Sequence, residues 1–204
     1  MFTNPLYLIK GVFGRTFYIF PQRPERIQIE ITNRCNYTCG MCPRESFNLP
    51  EKDISLDLFK KIIDRLAPFS GKGLKTPYNI TLTGWGEPLL HPALMDMIVY
   101  TKDKGHNVGV TTNGLLLAPF VEIFIEKALD KLTISLDSVE EGSEVVEGHP
   151  SNKVVQKNIE SLIRYRGDKK KPMITIQITM HGKKQCLETV KYAGEVGADR
   201  VYLV

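Results

Sequence analysis

Cys35, Cys39 and Cys42 fall in the segment CNYTCGMC, directly after the strand-like run IQIEIT. The spacing C-x3-C-x2-C delivers three thiolates from one short loop. A cubic iron–sulfur cluster usually takes four cysteine ligands. With three local thiols, either a distant residue completes the set or one iron is left open. An open coordination position is what a metal site needs for reactivity rather than support alone. The spacing also permits a structural zinc ion, although the nearest downstream histidine is His91. Cys186 stands alone beside Leu187 and reads as a small buried apolar residue. His91, His106, His149 and His181 are scattered and read as loop histidines.

A second motif, GWGEP, occupies residues 84–88. Gly84 and Gly86 permit a close approach of backbone carbonyls to a ligand, in conformations that a side chain resists. Glu87 adds an acceptor for a cationic amino group, and Pro88 fixes the exit of the loop. The same five residues also suit an ordinary strand-to-helix turn. Two further polar runs follow strand-like segments: Thr112-Asn113-Gly114 and Ser135-Leu136-Asp137. Strand alternation puts Ser135 and Asp137 on one side and Leu136 on the other. Each polar residue there also suits a turn or cap.

The elements that position these motifs alternate. Strand-like runs lie at 27–32, 79–83, 107–112, 131–136, 173–180 and 200–204. Helical patterns separate them. The first carries Leu58, Phe59, Ile62, Ile63 and Leu66 on one face, with Ser55 as cap and Pro68 and Gly71 as its close. The second runs from about Pro92 to Lys104 and stops at Gly105; the third is marked by Val121, Phe124, Ile125 and Ala128. Ser151 caps the fourth, which carries Val154, Val155, Ile159, Leu162 and Ile163. The fifth carries Leu187, Val190 and Ala193 and ends at Gly197. Such alternation implies an α/β fold with a parallel sheet, since parallel neighbours need crossover helices. The sheet either curls into a barrel or winds in two directions. In both cases ligands bind at the carboxyl ends of the strands, and there the four motifs converge.

Composition sets bounds on this reading. A chain of 204 residues with 42% hydrophobic and 25% charged residues suits one globular domain with an appendage. A net charge of +4 without a basic, aromatic-laced face argues against nucleic-acid binding. Lys169-Lys170-Lys171 reads as a solvated turn. Clustered cysteines point to a reducing compartment, hence a cytoplasmic location, rather than a disulfide framework. No apolar stretch approaches the roughly 18 residues of a membrane span. Residues 1–26 form an apolar and basic arm, broken by Lys10, Gly11, Gly14 and Arg15, that is expected to pack against the 27–204 core.

CNYTCGMC after the first strand and GWGEP after the second, in this order of elements, resemble the radical S-adenosylmethionine (SAM) superfamily over about residues 27–204. The resemblance implies a partial (β/α)6 barrel of parallel strands. It implies that Cys35, Cys39 and Cys42 hold three irons of a 4Fe-4S cluster, with SAM on the fourth. It further implies that one electron cleaves SAM to a 5′-deoxyadenosyl radical, which takes a hydrogen atom from substrate. Gly84, Trp85, Gly86 and Glu87 then receive the SAM ammonium, and Asn113, Ser135, Asp137 and Gln177 lie near the rest of SAM. Two departures stand out. Trp85 separates glycines that are commonly adjacent in the family and is expected to wall the pocket. Met41 occupies a position that is often aromatic, and Tyr37, elsewhere in the loop, does not simply replace it.

GHPSNKVVQKNIESL loosely resembles the matching region of members with a C-terminal SPASM domain, many of which modify peptides or proteins. The leading expectation is therefore a radical SAM enzyme acting on a peptide or protein side chain, fed by a flavodoxin- or ferredoxin-type electron donor. The alternatives are an enzyme making a small cofactor and a non-catalytic metal-stabilised binding module. The chain is expected to be either naturally short or the core of a longer polypeptide whose sixth strand awaits a cover.

Overall fold

The computed structural model describes residues 7–10, 16–19, 24, 26–66, 77–140 and 152–204. Two short strands, β1 (Tyr7–Lys10) and β2 (Thr16–Ile19), pair antiparallel within the N-terminal arm. The body is one sheet of six strands. They are β3 (Arg26–Ile29), β4 (Asn79–Leu82), β5 (Asn107–Thr112), β6 (Lys131–Ser135), β7 (Met173–Ile178) and β8 (Arg200–Leu203). Spatial order follows chain order and every neighbouring pair is parallel. Helices α1 (Leu56–Arg65), α2 (Leu94–Asp103), α3 (Val121–Glu126), α4 (Asn152–Arg166) and α5 (Lys183–Val196) lie between successive strands. This is the (β/α)6 arrangement, an open barrel with β3 and β8 at its edges.

Period-two alternation gives the sheet two chemically different faces. Ile80, Leu82, Val108, Val110, Leu132, Ile134, Ile174, Ile176 and Ile178 are buried in one core with Phe59, Ile63, Met97, Phe124, Val155 and Ile159 of the helices. The other face is small or polar: Thr111 sits opposite Thr133, Thr133 opposite Thr175, and Ser135 opposite Gln177. A barrel filled by large aliphatic side chains is a packed plug; here the inner face leaves room at its upper end. At the opposite, amino end, Lys131 faces basic company. Burial, then the charges of Arg26 and Arg200, hold its ammonium below the ordinary value.

Local signals set several boundaries. Ser55 caps α1, its hydroxyl accepting from Leu58 N at 3.2 Å. Gly197 closes α5 in the left-handed region (φ 86°), where a Cβ is disfavoured. Leu58, expected on the apolar face of α1, is exposed, as are Val154 on α4 and Leu187 on α5. Each helix buries a narrower stripe, Phe59 and Ile63 on α1, Val155, Ile159 and Leu162 on α4, and Cys186, Thr189 and Ala193 on α5. Cys186 is buried, as its solitary setting implied. The first strand leaves its ladder at Ile29, three residues before the expected end, because Thr32 pairs instead with Asp53. Pro68, Gly71, His149 and Ser151, with the GHPS stretch, fall outside the described residues. Among the described residues no helix is long and apolar enough to cross a membrane.

Candidate active site

The loops leaving β3, β4, β5 and β6 meet at the carboxyl end of the barrel around one cavity. It is lined by Cys35, Cys39 and Cys42 from the first loop and by Gly84–Glu87 from the second. Thr111, Thr112 and Asn113 contribute from β5 and its exit, Ser135 and Asp137 from β6 and its exit. The space, open mouth included, is about 710 Å³. Four separate stretches of sequence thus share one surface, because parallel strands all deliver their exits to the same side.

The cysteine loop is built to be held. Asn33 accepts from Lys52 N at 2.6 Å and donates to Pro50 O at 3.0 Å. The Arg34 guanidinium grips Asp53 with two bonds (3.0 and 2.7 Å) and donates a third to Leu90 O at 3.0 Å. The fork geometry of arginine makes such a bidentate contact directional. The segment after the cysteines therefore folds back and clamps the segment before them. His91, a buried loop histidine, supports the same corner: its Nδ1 accepts from Ala93 N, and its Nε2 lies 3.0 Å from Ile54 O.

The three thiols are half-buried. Burial pushes Cys35 above the ordinary thiol value, offset in part by the N–H of Tyr37, which points at its Sγ from 3.4 Å. Cys39 is pushed up to about 11, by burial first and then by Cys35, Cys42 and Asp137. Binding of a cation to such thiols would release their protons. Cys35, Cys39 and Cys42 line one cavity, and three thiols are the donor chemistry of a sulfur-ligated iron cluster.

Glu87 ties two of these loops together. Its carboxylate is 2% exposed and already engaged by the chain. Oε1 accepts from Leu89 N (2.9 Å) and Thr112 Oγ1 (2.8 Å), and Oε2 from Asn113 N (2.8 Å). Of the roughly four lone-pair sites of a carboxylate, three are filled. Glu87 therefore braces the β4 exit against the β5 exit. Burial raises its carboxyl above the ordinary range, and the three donors pull it back only in part. The glycines also serve the fold before any ligand. A Cβ at Gly86 would run into the Thr32 carbonyl and stand 2.8 Å from Arg34 O; one at Gly84 would stand 2.7 Å from Glu30 Cβ. Gly86 lets two loops touch backbone to backbone.

Other expected residues divide. Ser135 and Asp137 both line the cavity, while Leu136 between them is buried on the opposite side. Asp137 Oδ1 accepts from Thr179 N at 2.7 Å. Asn113 lines the cavity, yet its amide donates to Asn36 Oδ1 (2.8 Å) and accepts from Leu115 N (3.1 Å). Gln177 is not among the lining residues, although it pairs with Ser135 on the same inner face of the sheet. Met41 is 44% exposed and off the cavity, whereas Tyr37 is buried and lines it. Trp85 is 49% exposed, at the rim, with Phe47 edge-on at 5.8 Å between ring centroids. Sequence reading missed Asn36, Arg34 and Asp53. Arg34 and Asn36 flank Cys35, a local cue; Asp53 had none.

The Radical SAM superfamily profile matches residues 29–202, nearly the whole described barrel. This chain belongs to the radical SAM superfamily. Members of that superfamily use a 4Fe-4S cluster and SAM and take their electron from a donor. Among curated proteins, the radical SAM chain is 34% identical over 179 residues to the tungsten-containing aldehyde ferredoxin oxidoreductase cofactor-modifying protein of Pyrococcus furiosus. That match covers 85% of this chain and 49% of the relative. It is 32% identical over 130 residues to the GTP 3′,8-cyclase of Chlorobaculum tepidum, covering 63% of this chain and 35% of the relative. The chain thus spans about half or less of the length of these relatives. In structure it resembles Streptococcus suis SuiB bound to S-adenosylmethionine, with a TM-score of 0.68 at 18% identity over 88% of this chain and 40% of that one. At that identity the likeness is of fold.

Proposed function

We propose that this chain is the catalytic core of a radical SAM enzyme in which Cys35, Cys39 and Cys42 ligate the cluster. The observation that supports it is the meeting of three thiols, GWGEP, Thr112–Asn113 and Ser135–Asp137 around one cavity at the barrel's carboxyl end. When bound, the reduced cluster supplies the electron that cleaves SAM into methionine and a 5′-deoxyadenosyl radical, which abstracts hydrogen from substrate. The chain's own residues bind and orient. The loop backbone at Gly84–Gly86 and the remaining lone pair of Glu87 receive the SAM ammonium. Asn113, Ser135 and Asp137 offer hydrogen-bonding groups to the ribose, and Gln177, the register partner of Ser135 on the next strand, adds an amide beside them. Trp85 and Phe47 screen the mouth from water. The donor of the electron is of flavodoxin or ferredoxin type, and the setting cytoplasmic.

For the substrate, the sequence relatives favour a small molecule of cofactor biosynthesis over a peptide. Relatives above 30% identity include a cofactor-modifying protein and GTP 3′,8-cyclases. The likeness to SuiB bound to its precursor peptide SuiA is at 18% identity and carries the fold alone.

Anaerobically reconstituted protein, reduced with dithionite and given SAM, is expected to release 5′-deoxyadenosine. Cys39→Ala is expected to lose the cluster's visible absorption and most bound iron. An intact cluster with no 5′-deoxyadenosine refutes the enzymatic reading, and full iron in Cys39→Ala refutes the ligand assignment. GTP and a short unstructured peptide serve as substrate probes. Stimulation of SAM cleavage by the peptide and not by GTP would overturn the small-molecule preference.

A further inference from the structure

Cys35 is pinned on both sides. Before it, Arg34 O accepts from Glu87 N at 2.7 Å. After it, Asn36 Oδ1 accepts from Asn113 Nδ2 at 2.8 Å. The two anchors are joined, because Asn113 N donates to Glu87 Oε2 at 2.8 Å. The result is a closed ring through residues 34–36, Glu87 and Asn113, one arc from each of the loops that leave β3, β4 and β5. Cys35 is the middle residue of the first arc. A ring closed by three hydrogen bonds fixes a position that any one of them alone would leave to swing.

Asn36 has a second property. Its Nδ2 is shielded from water and has no acceptor among the described residues. Buried donors without partners are rare, and each calls for an explanation. The amide cannot simply be turned over, since its oxygen is needed by Asn113. The same loop already directs one N–H at sulfur, from Tyr37 to Cys35. Donors near cluster sulfurs stabilise the added electron and raise the reduction potential.

Building on the cluster assignment above, we propose that Asn36 is a positioning residue with two tasks. Its oxygen sets Cys35, and the cluster it holds, in register with the loops that receive SAM. Its spare N–H, which no acceptor among the described residues takes up, would be available to the bound cluster and would hold its potential up. The two tasks use different atoms of one amide and can be separated. Asn36→Asp keeps the acceptor for Asn113 and exchanges the donor for negative charge. Asn36→Leu removes both at similar volume.

The test uses the full chain, reconstituted with iron and sulfide under anaerobic conditions. Circular dichroism, iron content, cluster midpoint potential without SAM, and SAM affinity are measured for wild type and both variants. Asn36→Asp is expected to fold and load iron as wild type, bind SAM within about threefold of wild type, and show a lower midpoint potential. Asn36→Leu is expected to load iron, show a lower potential, and bind SAM about tenfold more weakly, the scale of one hydrogen bond. Unchanged potential in Asn36→Asp would overturn the donor task; unchanged SAM affinity in a folded, iron-loaded Asn36→Leu would overturn the register task. Loss of fold and iron together in both variants would reduce Asn36 to a structural residue and overturn the proposal. Should Asn36→Leu alone fail to fold, the potential of Asn36→Asp decides. Wild type that takes up no iron refutes the cluster assignment instead, a result distinct from any of these.

Discussion

Replacing Glu87 by Gln tests the brace at the centre of the site. The carboxylate faces three donors, two of them backbone N–H groups, at Leu89 and Asn113. Glutamine keeps the shape but offers one oxygen. Whichever way its amide turns, its NH2 faces one of those backbone donors, because only the Thr112 hydroxyl can rotate away. A buried donor left unpaired costs about 1–3 kcal/mol. For a chain of this size that lowers the melting temperature by about 2–12 °C. The pH dependence gives a second, independent sign. Burial raises the Glu87 carboxyl above its ordinary value, so above the unfolded-state value the folded chain holds this proton more tightly than the unfolded chain. Its contribution to stability therefore falls as pH rises through that window, by up to about 1.4 kcal/mol per pH unit. Protonated, Glu87 still presents an acceptor on each oxygen, with the Thr112 hydroxyl turned to receive its proton. The deficit of Glu87→Gln relative to wild type should thus be largest near pH 5 and shrink toward alkaline pH. Urea unfolding of both proteins across that range measures it, with the difference removing every other titrating group. Equal stability at pH 5, or a deficit that grows with pH, would refute the reasoning.

Gly86→Ala should destabilise by about 1–3 kcal/mol, as overpacking does, and lower iron uptake. Its Cβ meets the backbone of Thr32 and Arg34. Gly84→Ala, which meets the side chain of Glu30, should cost less; thermal melts and iron analysis of the two variants give the order. Trp85 is the chain's single tryptophan and lines the cavity, so SAM added to the reconstituted protein should change its fluorescence. A flat titration, with SAM binding shown separately, would remove Trp85 from the ligand's surroundings.

Much of this was legible in the chain. The alternation of β-branched strands with amphipathic helices gave all six barrel strands, their beginnings within a residue, because burial on one face imposes a period that composition cannot hide. C-x3-C-x2-C and GWGEP were recognisable because the spacing itself is the chemistry: three thiols from one loop, and a glycine-flanked turn at a strand end. The parity of Ser135 and Asp137 against Leu136 also followed from the strand period alone. Leu58, Val154 and Leu187 were misjudged because the helices bury a stripe narrower than their apolar content suggests.

What sequence determined by itself was the inventory of elements and reactive groups, since both are local. The tertiary structure alone decided how those groups are used. Glu87 read as an acceptor alone, and the fold makes it a brace as well, because its partners, Thr112 and Asn113, come from another strand. Asn36, which sequence reading missed, is a junction, because Asn113 lies 77 residues along the chain yet 2.8 Å away. Hydrogen bonds reach about 3 Å, so which of them form is settled only once parallel strands have brought their exits together.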